Sequence, residues 1–199
     1  MVGKNPIRVG VLALQGDVRE HLNILHQLSV DASQVRTLEQ LDAIDGLIIP
    51  GGESSVIDKL SRLFGIRDLL REKISQGFPV FGTCAGMILL ADHIEGAIRD
   101  QQSFGGIAMT VQRNAYGSQT ESFETMVELP TLSPHPIRVA FIRAPSVVTT
   151  SAEVEILGTL PDASVVAVQQ GNLLATSFHP EITGDTTVHS HFISMIEAR

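Results

Sequence analysis

Three times in its first half the chain runs an unbroken apolar segment into a glycine-bearing turn and then into residues at helical spacing. IRVGVLAL (7–14) meets QGD and then VREHLNILHQL. DGLIIP (45–50) meets GGESS and a helical stretch containing Val56, Leu60 and Leu63. FPVFG (78–82) meets TCAGMILLADHI. A strand that is apolar at every position, rather than at alternate ones, needs cover on both faces. Strand, tight turn and helix in repetition therefore predict a three-layer α/β fold, with a mainly parallel central sheet and helices on both faces. In such a sheet the loops after the strand C-termini gather on one edge, where ligands bind.

The second half has another texture. GGIAMTVQRN, SFETMVEL, PIRVAFIRA, AEVEILGTL, SVVAVQQG and NLLATSFHP read as short strands separated by turns, so some antiparallel additions are expected there. The last segment carries Val188, Phe192 and Met195 at helical spacing, with Asp185 as its expected N-cap. No repeat or linker interrupts the chain, and residues 1–199 read as one domain. A formal net charge of -8 argues against a nucleic-acid or anionic-membrane surface. One cysteine forms no internal disulfide, and the apolar stretch before Gln15 is too short for an export signal or a membrane span. Both features point to a reducing cytoplasm.

That cysteine carries the first chemical signal. Gly82-Thr83-Cys84-Ala85-Gly86 has the G-x-nucleophile-x-G spacing of a nucleophile elbow, a strained strand-to-helix turn whose small flanking residues let neighbouring chain approach. A helix starting there aims its positive end at the sulfur and favours the thiolate. Its first N–H groups, such as that of Ala85, can receive an oxyanion. A buried structural cysteine fits the same five residues, and a nucleophile requires a base.

Seven histidines are available. His189 and His191 form an H-x-H pair, but residues two apart on a helix face different ways, so they read as ordinary surface histidines rather than metal ligands. His21, His26 and His93 lie in amphipathic stretches and are expected on helix surfaces; His135 sits in a turn between prolines. His179 differs. It ends the apolar run LLATSF and precedes Pro180 and Glu181. Proline keeps the preceding residue extended, and residues two apart on extended chain project to one side. Glu181 can therefore orient His179, the third member a Cys-His pair needs. A third turn, PGGESS (50–55), reads either as a ligand loop in which Gly51 and Gly52 let the backbone approach a substrate, or as a plain helix start capped by Ser54 or Ser55. It lacks the lysine and spacing of a phosphate-binding loop.

The ordered set GVLALQGD…REH, PGGESS, GTCAGMILLA, RNAYGSQ…SFE, FIRAP and SFHPE resembles the glutaminase subunits of pyridoxal 5'-phosphate synthase, a branch of the class I (triad) glutamine amidotransferases. The likeness runs from about residue 7 to the C-terminal helix. It implies hydrolysis of L-glutamine to glutamate and ammonia, with Cys84 as nucleophile, His179 as base and Glu181 as orienting carboxylate. It also implies an oxyanion hole from Gly52 and Ala85, and a glutamine site from Gly51, Gly52, Glu53, Arg113, Ile142 and Arg143. Arginine beside a polar loop suits a substrate carboxylate, while pairing of Arg113 or Arg143 with Glu121, Glu124 or another acid is the structural alternative. The implied partner is a (β/α)8-barrel synthase subunit that consumes the ammonia, with docking expected to complete the oxyanion hole. No metal or cofactor is called for. Ser55 and Ser118 depart from the residues expected at those places, threonine and arginine. Two alternatives remain at this point: a triad glutaminase of another synthase, such as imidazole glycerol phosphate synthase, and a non-catalytic binding subunit.

Overall fold

In the computed structural model, which describes residues 6–113 and 122–199, the apolar runs become the middle of a seven-stranded sheet. Strands β1 (Arg8–Leu12), β2 (Asp31–Val35), β3 (Gly46–Ile49), β4 (Val80–Thr83), β10 (Glu155–Thr159), β11 (Val165–Gln170) and β12 (Leu173–Thr176) lie in the order β10-β11-β12-β4-β3-β1-β2. The pairs β1–β2, β1–β3, β3–β4 and β4–β12 are parallel; β10–β11 and β11–β12 are the antiparallel additions. The remaining strands form separate small sheets. One joins β5 (Ala91–Glu95), β6 (Ile107–Gln112) and β9 (Ser146–Thr150); the other joins β7 (Phe123–Val127) and β8 (Ile137–Phe141).

Successive residues of the central strands feed two different cores. Leu12, Leu47, Ile49, Val80 and Ala175 pack on one face with Leu41 of α2 (Leu38–Asp42), Ile57 of α3 (Ser54–Leu63), Leu70 of α4 (Ile66–Ser75), and Met87 and Leu89 of α5 (Ala85–Leu90). Val9, Val11, Ile48, Phe81 and Leu174 pack on the other with Leu25 of α1 (Val18–Gln27), Val139 and Phe141 of β8, and Phe192 of α7 (Thr187–Glu197). This two-sided burial is why the strands read as unbroken apolar runs. No helix among the described residues is long and apolar enough to cross a membrane.

Several local expectations change. The helix after Cys84 stops at Leu90, and ADHIE continues as β5, so exposed His93 lies on a strand. In α3 the buried residues are Ser54, Ile57, Asp58 and Ser61, while Val56 and Leu63 face outward. Its N-cap is Glu53, whose carboxylate accepts from the Ser55 N–H and hydroxyl, in place of Ser54 or Ser55. The N-cap of α7 is Thr186; Asp185 still accepts from the Thr187 N–H at 2.8 Å, so it does a cap's work one residue early.

Candidate active site

Four neighbouring strands, β12, β4, β3 and β1, end along one edge of the sheet. Cys84 directly follows β4, His179 lies three residues beyond β12, Gly51 and Gly52 follow β3, and Gln15 to Asp17 follow β1. β4 lies between β12 and β3, so its first loop residue sits between the other two loops. Parallel pairing alone therefore assembles residues that are far apart in the chain.

Cys84 has φ 49° and ψ -97°, a strained backbone for a side-chain-bearing residue. Its N–H donates to the Thr176 carbonyl at 2.8 Å, tying the turn to the end of β12. The turn closes tightly because a Cβ on Gly86 would stand 2.3 Å from the Ile49 carbonyl oxygen, and one on Gly82 would stand 2.5 Å from Gly86 backbone. The thiol is 6% exposed, and its Sγ faces the Ile142 carbonyl at 3.7 Å. Ala85 opens α5, so its N–H has no acceptor within the helix. The helix is only 6 residues long, which leaves the strained turn, rather than a long dipole, as the chief device presenting the sulfur.

His179 is held from both sides by backbone bonds to Ala140 of β8, at 2.8 and 3.4 Å, and caps a helical turn, α6 (Pro180–Thr183). His179 itself is extended, as its proline neighbour suggested, but the chain beyond it is not: Pro180 takes the first helical position, which suits its fixed φ. Glu181 sits in that turn and still reaches the ring, with Oε1 2.7 Å from His179 Nδ1. Asp17 Oδ2 lies 3.4 Å from the same nitrogen. A Cβ at Gly51 would stand 2.1 Å from the ring's Cε1, so glycine is required beside the imidazole. Burial opposes charge on His179, but contacts with Asp17, Cys84 and Glu181 outweigh it and push its pKa up to about 12. Burial pushes the Glu181 carboxyl upward, while the facing His179 pulls it back. With Nδ1 turned to the carboxylates, Nε2, which has no hydrogen-bond partner of its own, is the nitrogen left for Cys84.

Two histidines expected on surfaces are buried behind this pair. His21 and His189 are both 0% exposed, with His21 Nδ1 2.9 Å from His189 Nε2. His21 belongs to the same inward face as Ile24 and Leu25, and His189 to that of Val188, Phe192, Met195 and Ile196. Those i, i+3, i+4 spacings were the available signal. His26 is exposed as expected, His135 is exposed in its loop, and half-buried His191 contacts Gln169 at 2.7 Å. Burial lowers the His189 pKa from 6.5 to about 3. The unfolded chain thus takes up a proton there that the native protein refuses, so the stability from neutral His189 is complete above pH 6.5 and lost as pH falls toward 3. In His189→Gln, the slope of unfolding free energy against pH in that window should be shallower by about one proton. Urea titrations over the range measure it, and a slope equal to the wild type's would refute it.

In the loop after β3, the Glu53 N–H donates to Gln15 Oε1 at 2.7 Å, and the Gly51 carbonyl accepts from the Asp17 N–H at 3.1 Å. The Gly51–Gly52 peptide is thereby tethered to the β1–α1 loop. Arg113 pairs with neither Glu124 nor open solvent: its guanidinium donates to Glu53 Oε1 and to Gln101 Oε1, both at 2.7 Å. Gln101 in turn donates to Ser54 Oγ at 2.9 Å. Glu124 pairs instead with Arg138. Ile142 reaches the site through its carbonyl beside Cys84, and the next residue, Arg143, is exposed at φ 47°. Ser118 and Glu121 lie outside the described residues. Among the described residues, Asp17, His179 and Glu181 form the group compact enough to ligate a metal, with ligand atoms within 4.8 Å of one another. A metal on His179 Nδ1 would displace the proton that both carboxylates accept.

A family model described as the SNO glutamine amidotransferase family matches residues 11–198. A "Pyridoxal 5'-phosphate synthase subunit PdxT" of Leifsonia xyli subsp. xyli is 53% identical over 192 residues, covering 96% of this chain and 97% of that protein. A protein of the same description from Acidothermus cellulolyticus is 48% identical, covering 100% and 98%. A solved glutamine amidotransferase superposes with a TM-score of 0.89 at 44% identity, over 95% of this chain and 98% of its own. The solved PurLQS structure from Thermotoga maritima, at 16% identity and a TM-score of 0.70 over 98% of this chain and 99% of the matched one, shares the fold.

Proposed function

The chain belongs to the SNO glutamine amidotransferase family, and from that premise we propose how the loops at its four strand ends carry out the reaction. The protein is a glutaminase: it hydrolyses L-glutamine to L-glutamate and ammonia and supplies the ammonia to a synthase partner in pyridoxal 5'-phosphate formation. The observation that carries the mechanism is the Cys84 turn beside His179, with Glu181 2.7 Å from the far ring nitrogen.

Cys84 thiolate attacks the side-chain amide carbon of glutamine, and the Gly52 and Ala85 N–H groups receive the oxyanion. His179, as imidazolium, gives its Nε2 proton to the departing nitrogen; ammonia leaves and a thioester remains. The now neutral His179 takes a proton from water, which attacks the thioester carbon. Collapse releases glutamate and returns Cys84 as thiolate against a charged His179. Glu181, aided by Asp17, holds Nδ1–H through both halves and stabilises the imidazolium. Gly51, Gly52, Glu53, Ile142 and Arg143 line the substrate's path, and Arg113 places positive charge for the α-carboxylate while bracing Glu53.

The synthase partner is a (β/α)8 barrel that takes ammonia through a sealed contact. Docking completes the oxyanion hole by turning the Gly51–Gly52 peptide, which requires the Asp17 N–H to release the Gly51 carbonyl. Glutamate release assayed with and without the synthase tests this: activity rises with the partner. In its presence, Arg113→Ala raises KM for glutamine roughly 10- to 100-fold with a smaller effect on kcat. An unchanged KM would remove Arg113 from the substrate site.

A further inference from the structure

His21 meets the site from behind. Its Nε2 lies 3.4 Å from Glu181 Oε1, the oxygen that faces His179, and 3.2 Å from Thr83 Oγ1. Its Nδ1 lies 2.9 Å from His189 Nε2, and all of these residues are buried. Two proton arrangements satisfy the contact between the histidines. With His21 protonated on Nδ1, its bare Nε2 accepts from the Thr83 hydroxyl but also turns its lone pair toward the Glu181 carboxylate, and His189 is left with a buried Nδ1–H that has no acceptor. With both rings protonated on Nε2, His189 donates to His21, and His21 donates its N–H to Thr83, with Glu181 Oε1 flanking the same N–H, 3.4 Å from Nε2. The one orphan is then a lone pair on His189 Nδ1. A buried N–H without an acceptor, or a lone pair against a carboxylate, costs more than an orphan lone pair. The second arrangement follows.

We infer that His21 is a positioning residue of the glutaminase: its Nε2–H, in a tautomer set by His189, holds Glu181 in line with His179. Four groups face it: Glu181 of α6, Thr83 of β4, His189 of α7 and, through Glu181, the His179 ring, with the edge of Phe81 closing the side. Burial and the neighbouring histidines keep His21 uncharged, so it offers Glu181 an N–H without competing with His179 for the carboxylate's charge. Glu181 Oε2 has no partner of its own, which leaves Oε1 the anchored end of the carboxylate and His21 the group beside it on the side away from His179. Without that N–H, the carboxylate rests on His179 alone and is free to rotate. Rotation turns the imidazole and misaims Nε2, which lowers kcat more than binding.

The inference rests on the glutaminase reading, and Cys84→Ala is run beside it to separate the two. Glutamine hydrolysis by the complex with the synthase subunit is compared for His21→Gln, His21→Asn and His21→Leu, with thermal melts for each. Glutamine places an amide N–H near the Nε2 position; asparagine places one near Nδ1, and leucine has none. The expected result is a kcat for His21→Gln within about threefold of wild type, and roughly 10- to 100-fold losses for Asn and Leu with KM little changed. Should His21→Leu not fold, the Gln and Asn variants decide by themselves. Asn or Leu at wild-type kcat, or Gln no better than Asn, overturns the role of His21. Activity retained in Cys84→Ala would instead overturn the glutaminase mechanism.

Discussion

Replacing Cys84 by alanine should lower glutamine-dependent glutamate release, measured with the synthase subunit present, by about 10⁴-fold or more. The size follows from the role proposed for the thiol. Without a nucleophile there is no thioester, and water must attack the amide with help from the oxyanion hole and His179 only. The fold should tolerate the change, because the strained φ of 49° is borne by the turn whether the residue is cysteine or alanine. The thiol's approach to the Ile142 carbonyl is long, 3.7 Å, and its other polar neighbour, His179, is held independently by Glu181, so little stability depends on it. A melting temperature near that of the wild type, with activity gone, is the expected pair of results. Activity above about one hundredth of wild type would exclude Cys84 as the nucleophile.

Glu181→Gln is the second large effect, a fall in kcat of roughly 10²- to 10⁴-fold with KM nearly unchanged. Glutamine keeps the volume and one acceptor for His179 Nδ1–H, so the loss isolates charge from shape. Asp17, 3.4 Å from Nδ1, becomes the one carboxylate beside the imidazolium and limits the damage. The direction on pH is also defined. The contacts with Asp17, Cys84 and Glu181 raise the His179 pKa to about 12, and removing the Glu181 charge lowers it. An alkaline limb set by loss of the imidazolium proton therefore moves to lower pH in the variant. A pH–rate profile with an unshifted limb and a kcat above one third of wild type would remove Glu181 from the relay.

Three of the strand ends were legible because their signals are local. An unbroken apolar run, a glycine turn and a helix describe β4, Cys84 and α5 without knowledge of the rest. His-Pro-Glu likewise places a carboxylate near a histidine within one turn of chain, although the turn proved helical rather than extended. Other elements were hidden. β2 reads DASQV, apolar only at Ala32 and Val35, because it is an edge strand on which only Val35 is fully buried. β5 follows α5 without a break in apolar pattern; its strand state comes from pairing with β6, which lies beyond an intervening loop. Likewise, alternating residues marked β6, β7, β8 and β9 as strand material or left them out, but nothing local said which would leave the main sheet.

The α/β class, the elbow at Cys84, the His179–Glu181 pair and the family are all legible in the chain before it folds, because each is written in residues within a few positions of one another or in motifs read in order. Which buried groups meet those residues is set by how the layers pack. Parallel pairing of β12, β4, β3 and β1 brings Asp17, Gly51, Cys84 and His179 to one edge, and α1 and α7 then press His21 and His189 together across 168 positions of chain. The reason is burial: a histidine on an amphipathic helix looks the same in sequence whether its face meets water or a sheet, and the difference arises only when the layers close.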